Sequence, residues 1–315
     1  MVNVVIANYN GAKFLEPCLT SLQNQSYRDF RLTVVDNGST DRSVEIVRGM
    51  WPQAKVVCLG KNEGFARANN IGAIAQDSEY VFLVNNDTEV APDCLATLAA
   101  AGRLYPAYAI FAPKMLRFRD RGRIDNKGIY LSRSLRCRQI DSGKLDGPPD
   151  SPMEVFGASG GAAFIRRSVI KDIGLFDERF FCYQEDCDFA IRARQAGYRC
   201  LYVPRAVVYH YGNGTSEKFA DFQAYFNHRN MTWVIRKNIP FKTRLKYGLG
   251  YAAYCFWRSI KVSLKGAPVA IIRAQVDGLF ARGLGRTESL WRISSKAFEG
   301  MIGRRVLGGC HSEEY

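Results

Sequence analysis

Residues 2–41 read VNVVIANYNGAKFLEPCLTSLQNQSYRDFRLTVVDNGSTD and contain two β-branched runs separated by an amphipathic segment. The runs at 2–6 and 31–35 predict short buried strands. Between them, at 13–25, apolar residues recur every three or four positions, which predicts a helix. A strand, a helix and a strand in this order are typical of a parallel pair joined by a helical crossover.

The same alternation continues along the first hundred residues. Further strands are predicted at 55–59 and 80–84, and further helices at 41–50, 64–75 and about 91–104. Strands and helices that alternate in this way predict an α/β fold with a mostly parallel central sheet and flanking helices.

The second half of the chain has a different character. Residues 117–152 are polar and rich in Gly, Pro and Asp, so we expect irregular structure there, with a hairpin at 129–138 and a mobile binding loop. A helix is predicted at 186–196 and a strand at 199–203. After Ser216 the pattern predicts helices, with breaks at Pro240, Gly266 and Gly285.

The composition limits the class of protein. Nine cysteines are scattered without a CxxC pair, which argues against a zinc site or a disulfide framework and fits a reducing cytoplasm. Residues 236–305 contain 15 basic and three acidic residues, so they carry +12 of the net charge of +14. We therefore expect an α/β domain at 1–235 and a basic helical region at 236–315.

Neither an export signal nor a membrane span is predicted. The first residues, MVNVVIANYN, lack the basic stretch and long apolar run of a signal peptide. The longest apolar stretch near the C-terminus, 247–257, is well short of the roughly 20 residues that a spanning helix needs. These features predict a cytoplasmic location.

Polar side chains follow two of the predicted strands. Asp36 ends the second strand in VVDNGSTD, and Asn85, Asn86 and Asp87 end the fourth in VFLVNNDTEV. Ligands bind at the carboxyl ends of strands in open parallel sheets, and an acid there suits a hard divalent metal that bridges a diphosphate. The alternative is a turn in which Asp36 satisfies local backbone groups. Since no GxGxxG follows the first strand, a dinucleotide-binding Rossmann domain is disfavoured.

The segment KNEGFARANNIGA, residues 61–73, places Asn62, Gly64, Asn69 and Asn70 around the start of a helix. Two adjacent amides lower helix propensity, which favours side chains that face a polar ligand. The alternative is a turn glycine followed by solvent-facing amides.

An acidic and aromatic segment, LFDERFFCYQEDCDFAIRARQAGY, occupies residues 175–198. Aromatic surroundings can raise the pKa of a carboxylate toward the range of a general base. Acids at a helix N-terminus are also favoured by the helix dipole, which is the alternative explanation. Further on, VYHYGNGTS supplies His210, one of three histidines, which is a ligand candidate or a packed core residue.

The ordered set VVIANYNG, VVDNGSTD, NEGFARANN, VNNDT, FDERFFCYQEDCDF and VYHYGNGTS resembles the inverting glycosyltransferases of family two, which have the GT-A fold. The resemblance covers about residues 2–235. It is closest to the branch that contains bacterial rhamnosyltransferases and galactofuranosyltransferases.

The resemblance implies a donor pocket. Asp36 would contact the nucleotide base, with Asn62 and Asn69 nearby, and Gly64, Asn85 and Asn86 are further candidates for donor binding. Asn85 stands where the family's DxD motif often has Asp, so the site has one fewer anionic ligand.

The resemblance also implies a metal site and a base. Asp87 would be the metal-binding acid, and His210 resembles an additional ligand of this branch. A carboxylate and an imidazole accept Mn²⁺ as readily as Mg²⁺. Asp186 resembles the catalytic base, which would deprotonate an acceptor hydroxyl while the metal neutralises the departing nucleotide diphosphate, with inversion of configuration.

The resemblance suggests a dTDP- or UDP-sugar donor, with dTDP-rhamnose first. The expected acceptor is a glycan on a polyprenyl lipid, in the biosynthesis of a bacterial cell-envelope polysaccharide. One rival is a catalytically silent nucleotide- or glycan-binding domain. A nucleic-acid binder is disfavoured, because the basic excess lies outside the α/β domain and is interleaved with apolar residues.

Residues 236–305 are predicted to form amphipathic helices that lie on the cytoplasmic face of the membrane. The alternative is that their apolar residues pack on the catalytic domain or on a second subunit. The apolar residues in question are Tyr247, Leu249, Tyr251, Tyr254, Phe256, Trp257, Ile260, Val262, Leu264, Ile271, Ile272, Leu279, Phe280, Leu290, Trp291, Ile293, Phe298 and Ile302.

Overall fold

The computed structural model describes residues 1–148, 151–212, 220–263, 268–281 and 294–309. The strands are β1 (Val2–Asn8), β2 (Phe30–Asp36), β3 (Lys55–Cys58), β4 (Tyr80–Val84), β5 (Thr88–Val90), β6 (Ile110–Arg117), β7 (Asp120–Asn126), β8 (Ile129–Leu131), β9 (Cys137–Gln139), β10 (Met153–Val155), β11 (Ala162–Arg166), β12 (Cys200–His210) and β13 (Gly308–Gly309).

A 3-10 turn, Glu178–Phe180, precedes the sixth helix. The helices are α1 (Ala12–Gln23), α2 (Ser43–Met50), α3 (Phe65–Ile74), α4 (Cys94–Leu104), α5 (Arg167–Ile173), α6 (Glu185–Gln195), α7 (Ala220–Asn238), α8 (Phe241–Ser263), α9 (Pro268–Phe280) and α10 (Ser295–Met301).

One sheet runs through the centre of the molecule in the order β13-β10-β12-β6-β11-β4-β1-β2-β3. The four N-terminal strands, β3, β2, β1 and β4, are parallel, and in this register Val4 lies opposite both Leu32 and Phe82. Beyond β4 the sheet continues through the antiparallel strand β11 to the parallel pair of β6 and β12. The α/β prediction is confirmed, and the predicted strands and helices of the first hundred residues are present.

Successive residues of a central strand enter different cores because the side chains alternate between the two faces of the sheet. Val4 and Ile6 pack in the cluster that contains Leu15 and Leu19 of α1, whereas Val5 packs in a second cluster with Ala66 of α3. Helix α3 lies so close to the sheet that a Cβ at Gly72 would be 2.3 Å from a methyl carbon of Val5. Because α3 follows the carboxyl end of the parallel strand β3, its N-terminus lies near the sheet edge that carries the candidate site.

The segment predicted to be irregular, 117–152, contains regular structure. The predicted hairpin is present, since Ile129 pairs with Gln139 and Leu131 with Cys137. However, Asp120–Asn126 forms strand β7 against β6, so the expectation of a loop was wrong there. The first residues of β7 are exposed and charged, as on many edge strands, and this composition hid the strand from a hydrophobicity pattern.

Helix α7 runs through the boundary that was predicted between residues 235 and 236. A third apolar cluster joins α7, α8 and α10 to β8 and α6, and its members include Leu131, Phe180, Ile191, Val234, Ile235, Tyr251, Phe298 and Ile302. Strand β13 also pairs with β10, where Gly309 lies opposite Met153. One face of the C-terminal region is therefore packed on the α/β domain, as the alternative interpretation required.

The predicted break at Pro240 separates α7 from α8. Within the ranges that the structure describes, no helix is both long and apolar enough to cross a membrane. Several predicted features lie outside the described residues: the breaks at Gly266 and Gly285, the end of the VYHYGNGTS motif through Ser216, the side chain of Val262, and Leu264, Leu290, Trp291 and Ile293.

Candidate active site

The carboxyl ends of β1, β2 and β4 meet at one edge of the sheet and bring three polar side chains together. The Asp36 carboxylate accepts hydrogen bonds from Asn8 Nδ2 at 3.3 Å and from the Ser39 amide at 3.1 Å. Asn86 Nδ2 donates to Asn8 Oδ1 at 2.7 Å. The structure thus joins two predicted residues, Asp36 and Asn86, through Asn8, which the sequence analysis quoted in a motif without assigning it a role.

The loop that follows β2 is tied to the loop that precedes α3. Asn37 Nδ2 donates to Asn62 Oδ1 at 2.9 Å, and the Gly64 amide donates to the same oxygen at 3.0 Å. Gly64 has a φ of +96°, and a Cβ there would lie within 2.9 Å of Phe181. Asn62 is therefore bonded to the residue that follows Asp36, while Gly64 allows the backbone to approach residue 181.

The two adjacent amides of α3 have different partners. Asn69 is buried, and its Nδ2 donates to the Phe65 carbonyl one turn earlier at 2.9 Å, so its amide is satisfied inside the helix. Asn70 exchanges hydrogen bonds with the backbone of Phe176 and also contacts Glu178. The interpretation of Asn70 as a ligand-facing residue was wrong, because it fastens α3 to the acidic and aromatic segment.

The turn after β4 places a carboxylate beside a histidine. Asp87 is buried, and its Oδ1 lies 3.4 Å from His210 Nε2. The pairing of β5 with β12 produces this contact, since it sets Thr88 opposite His210. In the same turn, the backbone N–H of Asn85 donates a hydrogen bond to the Gly161 carbonyl at 3.0 Å. The two residues predicted to share a metal, Asp87 and His210, are therefore neighbours.

A second carboxylate contacts the other side of the imidazole. Asp125 Oδ2, on β7, lies 3.0 Å from His210 Nδ1. Burial alone would lower the pKa of His210, but the hydrogen bonds and charges of Asp125 and Asp87 outweigh it and raise that pKa to about 10. Sequence reasoning missed Asp125, because its strand lies in the stretch that was predicted to be irregular.

These donors are compatible with a divalent metal that is shared with a ligand. In the described part of the chain, no group of three His, Cys, Asp or Glu side chains is arranged as a complete metal site. Asp87 and Asp125 contact different ring nitrogens of His210, so they do not face one point. A histidine whose Nδ1 is held by a carboxylate presents Nε2 to a metal, and nucleotide sites often supply the remaining oxygens from phosphate.

The predicted base lies next to a glycine-rich loop, residues 159–161. Asp186 Oδ2 accepts a hydrogen bond from the Gly160 backbone amide at 2.9 Å, and its Oδ1 accepts one from the Cys187 backbone amide at 2.7 Å. Burial raises the pKa of Asp186, and the two amides partly offset that rise. Because Asn85 contacts Gly161 and Asp186 contacts Gly160, this loop connects the turn that carries Asp87 with the predicted base.

Comparison with known proteins identifies the family. The model of the family described as Glycosyl transferase family 2 matches residues 3–174. The chain belongs to glycosyl transferase family 2.

Two relatives are rhamnosyltransferases. The N-acetylglucosaminyl-diphospho-decaprenol L-rhamnosyltransferase of Mycobacterium tuberculosis is 28% identical over 234 residues, which are 66% of this chain and 75% of the relative. The O-antigen chain rhamnosyltransferase RfbN of Salmonella typhimurium is 27% identical over 290 residues, which are 90% and 88% of the two chains.

The fold is also found among solved structures. The mannosyltransferase PcManGT from Pyrobaculum calidifontis, in complex with GDP-Man and Mn²⁺, superposes with a TM-score of 0.57 at 17% identity, over 90% of this chain and 88% of that one. This likeness shows the fold alone. The expected GT-A fold and the resemblance to the rhamnosyltransferase branch are confirmed.

In this family 2 glycosyltransferase the other acids of the 175–198 segment have separate roles. Asp188 is fully buried and is paired with Arg192 at 2.8 Å and with Lys237 at 2.9 Å, so it is a structural anion. Glu185 is buried, and its Oε2 has no hydrogen-bond partner in the described ranges. Burial, and then the charge of Asp186, raise the pKa of Glu185 well above its ordinary value.

Proposed function

We propose that this glycosyltransferase transfers rhamnose, with inversion, from a nucleotide diphosphate sugar to a hydroxyl of a lipid-linked glycan. One observation carries the proposal: the loop 159–161 contacts both Asp186 and the turn that places Asp87 beside His210. One group is suited to accept a proton and the other to hold a diphosphate. The rhamnosyltransferase relatives support the choice of sugar.

The donor would lie across the carboxyl edge of the parallel strands. Asp36 and Asn62 lie in two loops that are joined through Asn37, so they are the residues we assign to the nucleotide. Asn86 holds Asn8 against Asp36, and Asn85 orients the turn that carries Asp87. Asn69 stays a candidate on the neighbouring helix, although its amide nitrogen is already bonded to Phe65.

Asp87 and His210 would hold a Mn²⁺ or Mg²⁺ ion, and Asp125 would orient the imidazole. When bound, such an ion supplies positive charge to the leaving diphosphate. A histidine binds a metal in its deprotonated form, so the ion would compete with a proton for the imidazole of His210. Full transfer activity in an excess of chelator would contradict this assignment.

Asp186 would act as the general base. The acceptor oxygen forms a bond to the anomeric carbon, the bond from that carbon to the diphosphate breaks, and the hydroxyl proton passes to Asp186. Its raised pKa makes the carboxylate a better proton acceptor, and the amides of Gly160 and Cys187 fix its direction. Attack on the face opposite the diphosphate inverts the configuration.

The acceptor is proposed to lie at a membrane surface. The outward faces of α8 and α9 expose large apolar side chains, among them Leu249 at 81%, Phe256 at 69%, Trp257 at 59% and Phe280 at 76%. We call this set the apolar face. Exposed basic residues accompany it, including Lys242, Lys246, Arg258 and Arg273. Apolar and basic residues on one surface suit anionic headgroups and the acyl boundary, so we infer a peripheral, cytoplasmic-side attachment.

A donor panel tests the proposed function. Thermal shifts with UDP, dTDP, GDP and CMP in the presence of Mn²⁺ identify the nucleotide, because specific binding raises apparent stability. Transfer is then measured from dTDP-rhamnose to N-acetylglucosamine diphosphate on a short prenyl chain, and NMR gives the anomeric configuration of the product. We expect rhamnose with inverted configuration. Nucleotide binding without transfer from any nucleotide sugar would favour the silent binding domain.

A further inference from the structure

The segment 180–184, which leads into the helix of the predicted base, has an unusual backbone. Three of its residues have left-handed φ values without being glycine: Phe181 at 66°, Tyr183 at 67° and Gln184 at 68°. Side chains of L-residues crowd the backbone in this region, so each such residue is disfavoured unless its surroundings hold it. Asp186 follows two residues later.

One side chain of α7 holds this backbone. Asn230 is fully buried, and its Nδ2 lies 2.9, 2.8 and 2.7 Å from the carbonyl oxygens of Phe180, Cys182 and Tyr183. Since an amide nitrogen has two hydrogens, it shares them among three acceptors. Arg229 holds the oxygen of the same side chain, because its Nε donates a hydrogen bond to Asn230 Oδ1 at 2.9 Å.

Further contacts hold the segment from both ends. The Ala66 amide at the start of α3 donates to the Phe181 carbonyl at 3.1 Å. On α7, Asn227 accepts a hydrogen bond from Gln184 Nε2 at 3.0 Å. Asn238, at the other end of α7, donates to Asp188 Oδ1 at 2.7 Å. Helix α7 therefore contacts the chain on both sides of Asp186.

We propose that Asn230 is a positioning residue, which holds the left-handed segment 180–184 in place and thereby aims Asp186 at the acceptor hydroxyl. This inference rests on the proposed function, since it takes Asp186 as the base. Packing alone would not require three disfavoured residues directly before α6. Strain of this kind persists where the surroundings enforce one geometry, and here the enforcing group is Asn230.

The test compares Asn230→Ala with Thr232→Val. Thr232 is also buried on α7, and its hydroxyl contacts the His228 carbonyl, Tyr251 and Gln275, away from the segment. For Asn230→Ala we expect kcat to fall by about 10- to 100-fold, because small displacements of a reacting group have effects of this size. The donor KM should stay within about two-fold, since Asp36 and Asn62, which we assign to the nucleotide, are bonded to other loops. Thr232→Val should keep kcat.

Hydrogen–deuterium exchange supplies a readout that is independent of activity. Asn230→Ala should speed exchange of the amides in 181–187, whereas Thr232→Val should not. If exchange there is unchanged, or if both variants lose kcat equally, the positioning role is wrong. If the wild type transfers no sugar, the proposed function fails, while exchange still decides whether Asn230 holds the segment.

Two further variants test the proposal in case Asn230→Ala loses activity through a folding defect. Asn227→Ala removes the contact with the partly buried Gln184 and one hydrogen bond to the Gln223 carbonyl within α7, so it should fold and lower kcat by a smaller factor than Asn230→Ala. Gln184→Gly should restore part of the lost kcat in the Asn230→Ala background, because glycine adopts a φ of 68° without strain. No loss of kcat in Asn227→Ala together with no recovery in the double variant would overturn the proposal.

Discussion

At the scale of single residues, His210 links the metal-binding half of the proposed site to the rest of the fold. Its Nε2 faces Asp87 and its Nδ1 contacts Asp125, so one imidazole on β12 joins the turn before β5 to strand β7. Asp87 and His210 could be predicted from the sequence. Asp125 could not be predicted, because no local pattern shows that a charged edge strand pairs with β6 and brings its carboxylate to the histidine.

Replacement of Asp125 by Asn should weaken metal binding. The amide keeps the shape but removes the charge that orients His210, and loss of such a partner typically costs about 10- to 100-fold in metal affinity. Calorimetric titration of Mn²⁺ in the presence of the bound nucleotide diphosphate measures the change. Asp120→Asn, on the same strand but paired with the exposed Arg123, is the matched control. Equal Mn²⁺ affinity in both variants would show that Asp125 has no such role.

At the scale of elements, the close approach of α3 to the acidic and aromatic segment depends on Gly64. A Cβ at this position would meet the Phe181 side chain at 2.6 Å and its carbonyl oxygen at 2.7 Å, and φ is +96°. We therefore expect Gly64→Ala to lower the free energy of unfolding by about 1–3 kcal/mol. Gly60→Ala is the control, since its φ is +56° but no atom lies within 4 Å of the added carbon. Urea unfolding should show the smaller loss for Gly60→Ala, and equal losses would contradict the contact.

Helices α6 and α7 are joined by a buried ion pair that makes stability depend on pH. Burial alone would raise the pKa of Asp188, but the charges of Arg192 and Lys237 outweigh it and lower that pKa. A carboxyl whose pKa is lower in the folded state stabilises the fold above its unfolded pKa of about 4, and this contribution is lost as the pH falls toward the folded-state value.

Asp188→Asn tests this ion pair. It leaves Arg192 without its anion and leaves Lys237 paired with Asp177 alone, so it should cost about 3–5 kcal/mol at neutral pH. The difference from the wild type should shrink as the pH falls below about 4, because the Asp188 carboxyl of the unfolded chain is protonated there before that of the folded chain. Urea unfolding of the wild type and the variant at pH 7 and at pH 3 measures the difference in the free energy of unfolding at each pH. A difference that is the same at both pH values would mean that the charge of Asp188 does not act as described.

The elements of the first hundred residues could be predicted because each has a clear period and its partners are neighbours in sequence. The acids of 175–198 could not be separated in this way. Asp186 and Asp188 lie two positions apart on one helix, yet one faces the amide of Gly160 and the other faces Lys237 from α7. Only the tertiary arrangement distinguishes a base from a structural anion.

At the scale of the whole molecule, the C-terminal region has two faces. Its inner face completes the third apolar cluster, so a chain cut near Pro240 would lose Tyr251, Phe298 and Ile302 from the core. Its outer face carries the apolar and basic residues that we assign to a membrane. The sequence indicated both possibilities but could not assign residues to faces, because apolar residues occur on both sides of α8.

Flotation with anionic vesicles tests the outer face in the full-length chain. Phe256→Ser with Trp257→Ser should reduce flotation strongly, whereas Ile74→Ser with Leu104→Ser, which are equally exposed on the catalytic domain, should not. Each basic residue near the surface adds about 1 kcal/mol of attraction, so binding of the wild type should weaken as salt is raised. Equal flotation of both double variants would show that the apolar face does not bind the membrane.

The proposed function depends most on one carboxylate, Asp186, to which we assign the removal of the acceptor proton. The rate of sugar transfer at saturating donor and metal, measured for Asp186→Asn beside Glu185→Gln and the wild type, tests this most directly. We predict that Asp186→Asn loses about 100- to 10,000-fold in rate and still binds the nucleotide, because the amide keeps the shape but cannot accept a proton. Near-normal turnover of Asp186→Asn, with Glu185→Gln inactive, would contradict the assignment.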